Sequence, residues 1–149
     1  MRDTRGSSSR PDDDWSIVMS NNLTGLKNGL NGLGTWLEHH GIGADTENRA
    51  RLVFEEIVTN VIRYGFDDGG AHIIHAAACV DGDDLTLSFR DDGRPFDPRT
   101  AKELAPTYSL ASASIGGRGL MLVRAAASRI EYERTSEGHN HLTVTLPRR

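Results

Sequence analysis

From residue 22 onward, Leu23, Leu26, Leu30, Leu33 and Leu37 recur at intervals of three and four, the spacing that aligns side chains on one face of a helix. Just upstream, residues 15–20 alternate apolar and polar with β-branched content, which predicts a short strand leading into that helix. Gly25, Gly29, Gly32 and Gly34 each weaken an isolated helix by up to about 1 kcal/mol relative to Ala, so its stability has to come from packing. A second helix is predicted over residues 46–64, with Val53, Ile57, Val58, Val61 and Ile62 on its apolar side. Asp45 or Thr46 can cap it, and Glu47 suits its positive first turn.

Beyond Gly65 the pattern changes period. The cluster Asp67, Asp68, Gly69, Gly70 reads as a turn, residues 72–80 as an apolar strand, and 81–84 as a second turn. Leu85, Leu87 and Phe89 then alternate with Thr86, Ser88 and Arg90, which predicts a half-buried strand closing a hairpin. Residues 92–119 show no sustained periodicity and exceed an ordinary connection in length, and loops of that length are more often functional than accidental. A third helix over 120–128 and a final hairpin of 129–134 with 141–146 complete the order. Strand, helix, helix, strands with one late helix predicts an α+β fold: a two-layer sandwich with a mixed, mostly antiparallel sheet and helices on one face.

At 149 residues, 37% hydrophobic and 26% charged, the chain is sized for one core, and residues 15–149 are expected to form one domain. Residues 1–14 mix Arg, Asp, Ser and Gly without apolar periodicity, and are expected to be a disordered arm. A formal charge of -4 with no long basic run gives no footprint for nucleic acid. No apolar run approaches the roughly 20 residues of a membrane span, and the N-terminus lacks the apolar core of a signal peptide; the cytoplasm is the expected location. Cys79 is the single cysteine, in an apolar stretch where a buried thiol is ordinary.

Three stretches carry chemistry. Glu56 and Asn60 stand at i and i+4, with Tyr64 continuing the line, so a carboxylate and an amide project from one helix face at the edge of the core. The spacing alone equally describes a solvated polar face. Asp91-Asp92-Gly93-Arg94-Pro95-Phe96-Asp97-Pro98 follows a strand directly. An Asp there can accept from an exocyclic amine such as that of adenine, and Gly93 permits close backbone approach; a plain turn uses the same residues. Gly116, Gly117 and Gly119 precede a helix, where backbone N–H groups and the helix N-terminus favour a phosphate. The lysines are Lys27 and Lys102, neither after Gly, which excludes a P-loop, and the strand lysine and His-Arg-Asp loop of the eukaryotic-type kinases are missing. The pairs His39/His40, His72/His75 and His139/His141 lack partners for a zinc set.

In this order and at these intervals the three stretches resemble the GHKL ATPase superfamily, above all its small anti-sigma-factor serine kinases. Residues 56–60 look like the N box, 91–98 like the G1 box and 116–123 like the G2 box. The ending, residues 131–134 and 140–144, is similar to the family's last hairpin, and the likeness spans about 16–146. The resemblance implies a Bergerat-type ATP-binding fold with ATP and Mg2+ as cofactors. It implies Asn60 as the Mg ligand and Glu56 as the base. It further implies Asp91 as the adenine contact with Gly93 beside it, Gly117, Arg118 and Gly119 closing on the phosphates, and Thr143 near the base. Residues 99–114 would be the ATP lid. One departure stands out: the second Gly of the G1 box is Pro95 here, which removes a backbone donor.

The implied function is an ATP-dependent protein-serine/threonine kinase acting as an anti-sigma factor. It would phosphorylate a small anti-sigma-factor antagonist and also hold a sigma factor. Retention of both Glu56 and Asn60 favours this over a regulatory module that uses ATP only to set its shape. The leucine stripe and Trp36 leave room for a homodimer.

Overall fold

The computed structural model describes residues 14–100 and 119–148. Strand β1 (Asp14–Ser20) leads into α1 (Leu23–His39) and α2 (Ala44–Tyr64). The hairpin β2 (Ile73–Asp81) and β3 (Asp84–Asp91) follows, then α3 (Gly119–Ala126) and the hairpin β4 (Arg129–Arg134) and β5 (Asn140–Pro147). Every predicted element is present, and boundaries move by one or two residues. The expected disordered arm and most of the expected lid, with Gly117 and Arg118, lie outside the described residues.

The strands form one sheet in the order β1-β2-β3-β5-β4. All four pairings are antiparallel, where a mixed sheet had been allowed for. One pleat phase of the sheet carries Met19, Ile74, Ala76, Ala78, Leu85, Leu87, Phe89, Leu142, Val144 and Leu146, all buried against the helices. Fully burying the Val, Leu, Ile, Phe and Met side chains among these contributes roughly 1.5–3 kcal/mol each. Phe54 of α2 sits at the centre of the layer, with ring centroids 6.0 Å from Trp15 and 5.6 Å from Phe89, and so joins β1, α2 and β3.

The glycines of α1 are explained by proximity. A Cβ on Gly29 would stand 2.5 Å from the Met19 sulfur and 2.7 Å from the Phe54 ring, so the helix lies closer to β1 than any side chain permits. Asn22 caps α1 by accepting from Gly25 N at 2.8 Å. Leu23 departs from the predicted stripe and is 74% exposed. Helix α2 begins at Ala44 after Gly43 and has no side-chain cap, contrary to the expectation for Asp45 or Thr46. The Thr46 hydroxyl instead donates to Arg148 O at 2.8 Å and ties the end of the chain to α2. Trp36 is buried in the core. No helix among the described residues is long and apolar enough to cross a membrane.

Candidate nucleotide site

A cavity of about 280 Å³ opens between the C-terminal half of α2 and the ends of β3 and β5. Its walls are mostly apolar, with Ile57, Val61, Phe89, Pro95, Phe96 and Leu142. Asn60, Asp91 and Asn140 supply the convergent polar groups, and Tyr64 and Arg94 line it too. An apolar cleft with a few placed polar atoms is the usual form of a small-ligand site.

Each polar residue arrives there for a local reason. Asn60 continues the Glu56 line of α2 one turn further on, at the side of the apolar face. Asp91 and Asn140 fall in the core-facing phase of β3 and β5, at positions where every other member is apolar, and the register pairs them directly. All are nearly covered: Glu56 is 8% exposed, Asn60 7%, and Asp91 and Asn140 6% each.

The site brings together part of the expected set. Asn60 faces the cavity and its amide makes no side-chain hydrogen bond to another described residue. Glu56 lies one turn back along α2, outside the cavity lining, under the first residue of α3. A Cβ on Gly119 would stand 2.0 Å from Glu56 Oε1, so Gly119 is required for this contact. Oε1 is buried without a hydrogen-bond partner. Burial foremost, and then the charge of Glu55, raise the Glu56 pKa to about 6, against a smaller lowering by Arg63. At neutral pH such a carboxylate is mainly ionised and still basic enough to take a proton.

Asp91 Oδ1 accepts from Gly93 N at 2.8 Å and from Asn140 Nδ2 at 3.0 Å. Burial raises the Asp91 pKa above the usual carboxylate value, opposed by these two hydrogen bonds. Gly93 is near the site, but the close approach it allows is to protein: a Cβ there would meet Gly65 O at 2.7 Å. The adjoining loop is pinned by Arg94 N donating to Gly65 O at 2.8 Å and by Phe96 N donating to Asn140 Oδ1 at 3.4 Å. Pro95 lies between these two anchored amides, so the donor it lacks is not one the loop uses. Arg124 of α3 donates to Pro98 O at 2.9 and 2.7 Å, which joins the end of this loop to α3.

Thr143 is a correction. It pairs with Ser88 and Glu131 in the outward phase of β5, on the sheet face turned away from the helices and the cavity. The strand period of two separates it from Leu142, which does line the cavity. The sequence reading missed Asn140 because the last strand was begun at His141; the signal was a polar residue in phase with Leu142, Val144 and Leu146. It also missed Tyr132, whose hydroxyl donates to Asn140 Oδ1, and Arg134, which donates to Gly93 O.

Among the described residues no three His, Cys, Asp or Glu gather to hold a metal. Two histidines have other uses: His40 packs at a tilt against Trp36, and His72 stacks on Phe66 while hydrogen-bonded to Asp68. Cys79 is half-buried on the outer sheet face, and burial raises its thiol pKa.

Residues 19–146 match the model of the histidine kinase-like ATPase domain. The chain is 32% identical over 114 residues to the serine/threonine-protein kinase BtrW of Bordetella bronchiseptica, covering 74% of this chain and 80% of that protein. Its fold is similar to the RsbU and RsbW domains of a Mycobacterium tuberculosis protein, with a TM-score of 0.61 at 19% identity; 90% of this chain is covered, but only 32% of that longer one. It is also similar to a chain of the SiaB–SiaC complex of Pseudomonas aeruginosa, with a TM-score of 0.58 at 11% identity, covering 89% of this chain and 88% of that one. The resemblance read from the three boxes is therefore borne out, and the chain belongs to the histidine kinase-like ATPase family, which implies use of ATP.

Proposed function

We propose that this protein is an ATP- and Mg-dependent protein-serine/threonine kinase that acts as an anti-sigma factor. Its substrate would be a small anti-sigma-factor antagonist, and it would also hold a sigma factor. The observation that carries this reading is the convergence of Asn60 and Asp91 on one apolar cavity, with Glu56 one turn back along α2, its buried Oε1 without a partner among the described residues and packed under Gly119.

The donor set fits the implied ligands. Among the described residues, Asn60 holds out an amide with no side-chain partner, and Glu56 has a buried oxygen that makes no hydrogen bond. Groups of this kind are costly to bury unless something else completes them. Asn60 would hold the Mg ion, which when bound neutralises charge on the phosphates. Asp91 accepts the exocyclic amine of adenine, while the apolar walls exclude water from the base. Gly119 at the start of α3, with Gly117 and Arg118 just before it in sequence, would contact the phosphates, since helix-end amides favour anions. Glu56 takes the proton of the attacking serine or threonine hydroxyl. Phosphoryl transfer asks mainly for positioning and charge neutralisation, which this arrangement supplies.

The test is transfer of label from γ-labelled ATP to recombinant small antagonist domains, with phosphoserine or phosphothreonine located by mass spectrometry. Labelling that needs Mg and disappears in Glu56→Gln is expected. Saturable ATP binding with no transfer to any antagonist domain would replace this reading with a module that uses ATP only to change shape.

A further inference from the structure

Asp91 does not hold its own orientation. Both protein donors to its carboxylate, Gly93 N and Asn140 Nδ2, reach the same oxygen, Oδ1. Oδ2 makes no hydrogen bond to another described residue and is left for a ligand in the cavity that Asp91 lines. Asn140 is itself held on both sides. Its Nδ2 also donates to Arg94 O at 2.8 Å, and its Oδ1 accepts from the Tyr132 hydroxyl and from Phe96 N. Turning the amide over would set its oxygen against a carboxylate and a carbonyl, and its NH2 against the Phe96 N–H, so the network admits one orientation. Arg134 adds a donor to Gly93 O at 2.7 Å.

We propose that Asn140, locked by Tyr132, is the positioning residue that gives the pocket its nucleobase selectivity: it turns Asp91 Oδ2 toward the ligand and fixes the adjoining loop at the rim. Oδ2 is then a pure acceptor that takes an amine at the purine 6-position and repels a carbonyl there. Asn140 spends its own donors and acceptor on protein groups, so it acts through Asp91. The inference rests on the nucleotide-binding reading of the cavity.

The experiment compares the full chain with Asn140→Ala and Tyr132→Phe in equilibrium titrations of the Mg complexes of ATP, GTP and purine riboside triphosphate, which has no group at the 6-position. Melting curves accompany each variant. Wild type is expected to prefer ATP over both others. Asn140→Ala should lose at least about tenfold of the ATP preference over purine riboside triphosphate, because a charge-assisted contact is no longer aimed. Tyr132→Phe keeps the ring and should lose roughly threefold to tenfold. The pH profile separates aim from mere structure. Asn140 stabilises the charged carboxylate, whereas Asp92 and Arg134 act on Asp91 alike in both proteins. ATP affinity should therefore fall away at a higher pH in Asn140→Ala than in wild type.

If both variants keep the wild-type preference and pH profile, Asn140 is only a structural tie and the inference is overturned. If Asn140→Ala does not fold, an unchanged preference in Tyr132→Phe overturns it alone. Failure of wild type to bind any of the three nucleotides would refute the nucleotide reading, and the inference with it.

Discussion

Glu56→Gln separates what the carboxylate does for chemistry from what it does to the fold. The folded-state pKa of Glu56 is about 6 against an ordinary 4.5. The folded protein thus binds more protons than the unfolded chain between these values, and stability falls as pH rises through that window. The penalty is absent below about pH 4.5 and complete above about pH 7. A rise of this size corresponds to destabilisation on the order of 1–2 kcal/mol. Gln has nearly the same shape and no charge to desolvate. The variant should therefore be more stable than wild type by on the order of 1–2 kcal/mol at pH 8, or roughly 2–8 °C in Tm at this chain length, with the two converging as pH falls below about 4.5. Urea unfolding at both pH values measures this, and subtracting wild type from variant cancels the titrating groups that do not interact with Glu56, leaving Glu55 and Arg63 as its coupled neighbours. The same variant should lose phosphoryl transfer. Equal stability at pH 8 would mean that the carboxylate is not desolvated, and the reasoning that makes it a poised base would fail.

The other predictions concern separate parts of the structure. Asn60→Ala should weaken ATP binding in the presence of Mg at least about tenfold while changing Mg-free binding little, read by calorimetry with and without a chelator. Thr143→Val should leave ATP affinity within about twofold, since the residue lies on the opposite sheet face; a tenfold loss would restore Thr143 to the site. Gly29→Ala should destabilise by about 1–3 kcal/mol in urea unfolding, because its Cβ meets Met19 and Phe54 inside contact distance. Transfer rate plotted against pH should fall on the acid side near pH 6, as Glu56 takes up its proton.

The order of elements was legible because the hydrophobic period switches cleanly from 3.6 to 2 after Gly65, and back and forth again across the last third. What periodicity could not show were the long-range ties. Thr46 looks like a cap in sequence, yet its hydroxyl is drawn to Arg148 O, 102 residues away. Gly93 looks like a concession to a ligand, yet it is required by Gly65 O. The candidate site divides in the same manner. Glu56, Asn60 and Asp91 were singled out because each sits at a local irregularity, a polar residue against an apolar element. Asn140 is the same kind of irregularity in β5 and was lost to a strand boundary set one residue late. Thr143 entered by resemblance alone, although strand parity already placed it opposite Leu142, Val144 and Leu146.

These irregularities share a physical logic. Glu56, Asn60, Asp91 and Asn140 occupy covered positions where apolar residues would stabilise the fold more simply. Among the described residues, Asn140 is fully engaged, Asp91 by one oxygen, and Glu56 Oε1 and the Asn60 amide by none. Satisfaction therefore falls from the β3–β5 end of the cavity toward α2 and α3. Recognition of a base calls for groups already fixed before the ligand arrives, which is what the saturated end provides. Transfer of a phosphoryl group calls for polar atoms whose partners come with the ligand, which is what the unsaturated end leaves open. Because Glu56, Asn60 and Tyr64 are spaced about 6 Å apart along a single helix, α2 sets the distance between the two ends.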